Sequence, residues 1–371
     1  MRYTYLFYLF LFLSACHKEE VVEPIPLNHT LLIYLAGDNS LDAETYQKLV
    51  QIKKGWNNAL NGNLLIYQDS PFKDSPRLLK MDSQDSGGYV TLNTYAPENS
   101  ASPNVFRRVI EDMKTYCPAD DYGLIVFSHG SGWLPNHTLD AIPRSIIIDG
   151  DNEMELTDLA SAIPDHQFNY IIFEACYMAG IEVMYELKNK TDYIMASSAA
   201  IVSPGFTPVY AGNISSLFEE PHGLVQFANN YFTYWNALNT NKRSATISLV
   251  KTEELDNLAQ TVKSIVNATP AMPINIEELQ SFDGVTTEPY YFFDFKDFFS
   301  RLADSNYQTT LQDALDRCIV YKANTPSYAT SSGIFLITEY SGMTTYIQQE
   351  SLSKLNDEYK KLKWYKDVYG D

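Results

Sequence analysis

The order of elements along this chain predicts an α/β fold: a three-layer α/β/α sandwich built on a mostly parallel central sheet. Two patterns carry that expectation. Apolar runs of four to six residues, rich in Ile, Leu, Val and aromatics, recur through the first half, as they do in strands buried on both faces. Stretches with apolar residues at helical spacing separate them, and strands alternating with helices make a parallel sheet. A third observation sets the unit. No Pro/Gly-rich linker divides residues 29–371, so they read as one domain, with a core at about 30–210 and a C-terminal extension at about 211–371.

In chain order the expected strands of the core are Leu31–Ala36, Leu64–Gln68, Leu124–Phe127, Ser145–Ile148, Tyr170–Phe173 and Tyr193–Ala196. The expected helices between them are Leu41–Leu60, Pro103–Tyr116, Leu156–Ile163 and Ala179–Leu187. In the second of these, Val105, Val109, Met113 and Tyr116 fall at helical spacing. Arg77–Asp82 and Tyr89–Leu92, joined through Asp85-Ser86-Gly87-Gly88, read as an antiparallel hairpin insertion. Further on, Gly223–Leu238 and Glu253–Val266 read as helices, and Thr246–Val250 and Gly333–Thr338 as strands. Tyr290–Phe299 is too densely apolar for a solvated helix.

Composition narrows the class. Hydrophobic residues make up 45% and charged residues 20% of 371, which fits a globular chain and excludes a disordered one. The 27 Lys and Arg face 46 Asp and Glu, a net charge of −19. That balance argues against nucleic acid as a partner, since phosphate neutralisation needs Lys and Arg. Tyrosine is over-represented, at 27 residues, and suggests a recognition surface in the second half.

The N-terminus sets an expected compartment. Met1-Arg2 precedes an apolar run, Tyr3–Leu13, far short of the roughly 20 residues of a membrane-spanning helix. It reads as a signal peptide. Leu13-Ser14-Ala15-Cys16 looks like a bacterial lipobox, with cleavage after residue 15 and a lipid on Cys16. Residues 16–28, with Pro24 and Pro26, then form a tether. The expected location is outside the cytoplasm, lipid-anchored to an outer membrane and exposed at the cell surface. With Cys16 modified, Cys117, Cys176 and Cys318 remain, and an odd number leaves at least one thiol free.

Two strand ends carry chemistry. Leu124-Ile125-Val126-Phe127 delivers Ser128-His129-Gly130-Ser131-Gly132, and Tyr170-Ile171-Ile172-Phe173 delivers Glu174-Ala175-Cys176. In parallel sheets, reactive groups sit at the carboxyl ends of strands. A cysteine nucleophile needs an imidazole nearby in space to manage protons. Neighbouring strands ending in His129 and Cys176 would supply the pair. Taken singly, each has a structural reading, as a buried small hydrophobe or an ordinary core histidine.

The chain resembles the clostripain-type cysteine peptidases, whose fold is shared with caspases, gingipains and legumains. The resemblance rests on LLIYLAGDNSLD (31–42), YGLIVFSHGSGW (122–133), YIIFEACYMAG (170–180) and YIMASSAAIVSPG (193–205). It implies a caspase-like fold and an endopeptidase acting on protein or peptide substrates. It further implies His129 and Cys176 as catalytic dyad, and the backbone N–H groups of Gly130 and Cys176 as oxyanion donors. By the same resemblance Glu174, two residues before the nucleophile, stands where the family places an S1 acid for Arg or Lys at P1. A salt-bridged or capping role is its alternative. Ser197, Ser198 and Phe206 would line the same pocket, although the second family acid has no counterpart in Pro204-Gly205-Phe206-Thr207-Pro208. Apolar or other P1 residues therefore remain open. Arg144, in the loop between the two catalytic strands, is the candidate for self-cleavage.

Other signals point elsewhere. No histidines and cysteines have zinc spacing, and no cofactor is expected. Asp149-Gly150-Asp151-Asn152-Glu153 spaces oxygen ligands as a calcium loop might, although a turn explains it as well. His129-Gly130-Ser131-Gly132 is similar to an esterase oxyanion loop, but no G-x-S-x-G elbow occurs. A degenerate peptidase that binds peptides or glycans through its tyrosines is the non-enzymatic alternative.

Overall fold

In the computed structural model, β1 (Leu27–Ala36), β2 (Gly62–Asp69), β3 (Arg77–Met81), β4 (Tyr89–Thr94), β5 (Ala119–Phe127), β6 (Phe168–Glu174), β7 (Thr191–Ala196), β8 (Thr246–Lys251) and β9 (Ile319–Asn324) form one sheet. Their spatial order is β9-β8-β7-β6-β5-β1-β2-β3-β4. The central strands β7, β6, β5, β1 and β2 are parallel, and the outer pair on each side is antiparallel. The structure describes residues 27–370 except 59, 71–74, 86, 137–145, 220, 240, 269–273, 285–288 and 331–332. The expected signal peptide, the lipidated Cys16, nearly all of the tether and the candidate cleavage residue Arg144 lie outside the described residues.

The central strands explain the layers. Leu31 to Ala36 are all fully buried. Leu32, Tyr34 and Ala36 pack on one face of the sheet, against α2 (Pro103–Tyr116), α3 (Leu156–Ala162), α4 (Ile181–Leu187) and α7 (Leu255–Ala268). Leu31, Ile33 and Leu35 pack on the other, against α1 (Asp42–Gly55), α5 (Thr207–Asn213) and α6 (His222–Asn236). Alternation of side chains along a strand therefore feeds two apolar layers. The C-terminal segments, α8 (Phe295–Leu302), α9 (Ser305–Cys318), α10 (Ser353–Tyr359) and α11 (Lys363–Tyr369), join the first layer rather than forming a core of their own.

Several expectations are refined or corrected. The expected Arg77/Tyr89 antiparallel hairpin forms, and its first strand, β3, also adds to the edge of β2 and buries Leu78 and Leu79. Of the segment expected as the strand Ser145–Ile148, the described residues 146–148 stay outside the main sheet, and Ile147–Asp149 pairs with Asn152–Met154 in a small ribbon. The turn of that ribbon is the stretch considered for calcium, and the Asp149 carboxylate accepts the Ser100 backbone N–H at 2.6 Å. The strand expected at Gly333–Thr338 runs over Gly333–Leu336 and, among the described residues, pairs with Ser327–Thr330 in a two-stranded sheet apart from the main one. Tyr290–Phe299 breaks at Asp294, whose side chain caps α8 by accepting the Asp297 N–H.

The tyrosines are mostly structural rather than a recognition surface. Tyr34, Tyr67, Tyr170, Tyr185, Tyr210, Tyr231, Tyr328, Tyr346 and Tyr359 are among the largest fully buried side chains. Several of their hydroxyls find internal partners, such as Ser100 O for Tyr34 and Leu217 O for Tyr170. A tyrosine buries a large apolar ring while its hydroxyl stays satisfied.

Candidate active site

Phe127 of β5 lies beside Glu174 of β6. His129 and Cys176 therefore each sit two residues beyond the paired ends of neighbouring parallel strands. Gly130 lets the two turns meet, because a Cβ there would lie 2.8 Å from Cys176 O and 3.1 Å from Cys176 N. Among the described residues, neither the Gly130 nor the Cys176 backbone N–H bonds to another residue. Ser131 is buried beside them, which gives the esterase reading no exposed hydroxyl.

Each reactive group has a partner that sequence reasoning missed. His129 Nε2 and Ser40 Oγ are 2.8 Å apart, and either can donate according to the tautomer. Cys176 Sγ accepts the Ile201 backbone N–H at 3.2 Å. Burial pushes the His129 pKa down, with the Glu44 carboxylate opposing. Burial pushes the Cys176 thiol up; the Ile201 N–H pulls it down and Glu44 raises it further. Both shifts favour a neutral imidazole and a neutral thiol. Tyr177, held at φ 61°, donates its N–H to Ala199 O and stacks on Phe292 at 4.5 Å. The C-terminal extension thus braces the cysteine turn.

The residues expected to form the S1 pocket are not an open pocket. Glu174 is 2% exposed and Ser197, Ser198 and Phe206 are fully buried. Ser197 Oγ bonds Thr246 Oγ1 at 2.7 Å and Ala199 O at 2.9 Å. Phe206 is a core residue packed edge-on against Tyr231 and Phe227. Glu174 Oε1 accepts from Lys48 Nζ at 2.6 Å and from the Phe206 N–H, while Oε2 accepts from Tyr210 at 2.7 Å. Its carboxyl is pushed up by burial, and Lys48, Tyr210 and the Phe206 N–H pull against that. The structure thus corrects the expectation of a free acid: an internal cation already satisfies Glu174. Ser40 was visible in the turn after the first strand, and Lys48 as an i,i+4 partner of Glu44 on the helix face that carries Thr45, Leu49 and Ile52, but neither pattern declares a role.

No group of three His, Cys, Asp or Glu among the described residues is arranged to hold a metal ion. Cys117, Cys176 and Cys318 are all free thiols, the first and last buried. No helix among the described residues is long and apolar enough to cross a membrane.

Comparison with known proteins bears on this geometry. The chain is 26% identical over 212 residues to clostripain of Hathewaya histolytica, covering 48% of this chain and 40% of that relative's length. The X-ray structure of an inactive zymogen C11 protease from Parabacteroides distasonis superposes with a TM-score of 0.81 at 35% identity, over 94% of this chain and 99% of that one. A secreted C11 cysteine protease from Bacteroides thetaiotaomicron, solved with an irreversible peptide inhibitor, superposes with a TM-score of 0.80 at 26% identity, over 93% and 99%. The model of the clostripain family matches residues 33–369, and the chain belongs to that family of C11 cysteine peptidases.

Proposed function

We propose that this chain is a cysteine endopeptidase in which Cys176 is the nucleophile and His129 moves the proton. The single observation behind this reading is the equal placement of the two residues beyond neighbouring parallel strands, with their turns in backbone contact at Gly130. Neutral His129 takes the thiol proton as Sγ bonds to the scissile carbonyl carbon. The oxyanion that forms is held by the Gly130 and Cys176 N–H groups, donors of a kind that each contribute about 10²–10³ in rate. Collapse breaks the C–N bond, and His129 protonates the leaving amine. Water then hydrolyses the thioester, with His129 again as base.

The substrate class is a peptide, by analogy with the inhibitor-bound relative. Arg or Lys is the first reading of the P1 preference, with an apolar or other P1 residue as its alternative, and Glu174, paired with Lys48 at 2.6 Å, is not a free acid here. The N-terminal sequence supports a lipid anchor at Cys16 and export to the outer membrane; Cys16→Ala should abolish partition into a detergent phase, and unchanged partition would remove the anchor. The activity is tested with a peptide library varied at P1, comparing wild type with Cys176→Ala. Cleavage that depends on Cys176 is expected; no such cleavage of any peptide would overturn the peptidase reading.

A further inference from the structure

We propose that Phe292 is a positioning residue for the catalytic pair and that Asp283 holds it in place. One ring from the C-terminal extension bears on both reactive turns and keeps the cysteine turn in its left-handed conformation. The inference rests on the peptidase reading above.

Each reactive turn contains a left-handed residue: Gly132, at φ 63°, follows His129, and Tyr177, at φ 61°, directly follows Cys176. Gly132 meets that demand without steric cost. A Cβ there would lie 2.8 Å from Tyr177 O and 3.0 Å from Cε1 of Phe292. Tyr177 carries a Cβ, so its backbone conformation is unfavourable and persists only where the surroundings impose it. Two contacts do so. Its N–H donates to Ala199 O at 3.1 Å, and its ring lies on the Phe292 ring at 4.5 Å with the planes 8° apart. Phe292 is 4% exposed, and its ring packs on the turn after His129 and the turn after Cys176 at once. Relaxation of Tyr177 to an ordinary φ would re-aim the adjoining Cys176, whose Sγ and N–H both have to face the scissile carbonyl.

Asp283 explains why the ring stays in place. The two arms of its loop pair at the base: Ser281 bridges Phe293, and the Phe282 N–H donates to Phe292 O at 2.9 Å and the Asp294 N–H to Gln280 O at 2.8 Å. Between the arms, the Asp283 carboxylate accepts the Phe292 N–H at 3.0 Å, the Tyr291 N–H at 3.0 Å and the Ser281 hydroxyl at 2.6 Å. Hydrogen bonds to an ionised acceptor are the stronger kind, and these fix the backbone that carries the ring. The order of support therefore runs from Asp283 to Phe292, from Phe292 to Tyr177 and Gly132, and from those turns to Cys176 and His129.

The test measures kcat, KM and thermal melting for wild type, Phe292→Leu, Phe292→Leu/Tyr177→Gly, Asp283→Asn and Phe299→Leu on the best peptide of the P1 series. Leucine keeps the apolar bulk of Phe292 but not its flat face, so kcat should fall about fivefold or more with KM within about twofold, since small misplacements cost rate steeply. Glycine takes a positive φ unaided, so adding Tyr177→Gly should regain about threefold or more. Asp283→Asn sets an amide donor against a backbone N–H and should lower kcat about threefold or more. Phe299, fully buried in the same apolar layer on α8, controls for lost packing: Phe299→Leu should lower the melting temperature while kcat stays within about twofold. The proposal is overturned if the fall in folded Phe292→Leu is smaller or lies in KM, if Tyr177→Gly regains less, or if Phe299→Leu loses as much kcat. Should Phe292→Leu not fold, Asp283→Asn decides, and a smaller fall there overturns the proposal. Absence of Cys176-dependent cleavage by wild type would instead sink the peptidase reading, and this proposal with it.

Discussion

The hydroxyl of Ser40 lies 2.8 Å from Nε2 of His129, which ties the turn after β1 to the end of β5. That contact restrains the ring's rotation through Nε2. Ser40 is exposed and at the start of α1, so its removal disturbs little packing. Ser40→Ala is expected to lower kcat by roughly fivefold to tenfold with KM nearly unchanged, the effect of about 1–1.4 kcal/mol for one hydrogen bond. Ser40→Thr should restore most of the rate. A fall confined to KM, or no rescue by threonine, would show that the hydroxyl does not position the imidazole.

The electrostatics of the dyad make a second prediction. Burial raises the thiol pKa of Cys176 and lowers that of His129, so the ligand-free site holds neither thiolate nor imidazolium at neutral pH. Thiolate is the alkylating species. The rate of Cys176 alkylation by iodoacetamide should therefore keep rising with pH beyond the ordinary thiol range instead of reaching a plateau in acid. Glu44 raises both groups, so Glu44→Gln should move the alkylation midpoint to lower pH. A plateau between pH 5 and 7 in wild type would reveal a preformed thiolate–imidazolium pair and contradict the assignment.

The strands that lead to His129 and Cys176 were legible because burial on both faces forces continuous apolar runs, and those runs end just before these two residues. Leu124–Phe127 and Tyr170–Phe173 both lie inside the observed strands. The edge strand Ile319–Asn324 was not, since its residues are half-buried or exposed and carry no such run. The short helix at Thr207–Asn213 likewise lacks an apolar stripe, yet it supplies Tyr210 and Thr207 to the buried acid and its lysine. Glu174 shows the limit most clearly. Its position was readable from the strand that ends at Cys176, but its partner lies 126 residues away. Only the fold determines whether such a carboxylate meets a substrate or an internal cation.

A third prediction concerns stability. Asp69, at the end of β2, is 4% exposed. Burial first, then the charges of Asp149 and Asp38, raise its pKa to about 7, and Ser100 and the Ser70 N–H pull only partly against them. The group's ordinary pKa is near 3.8, so between those values the folded state holds a proton that the unfolded chain releases. Stability from this group is present below about pH 4 and lost as pH rises to about 7. The slope is at most about 1.4 kcal/mol per pH unit. Asp69→Asn should remove this term while other carboxylates titrate as before. In chemical denaturation, the variant's stability relative to wild type should therefore improve between pH 4.5 and 7.5. An equal difference at both pH values would mean that Asp69 is ionised throughout that range in the folded protein.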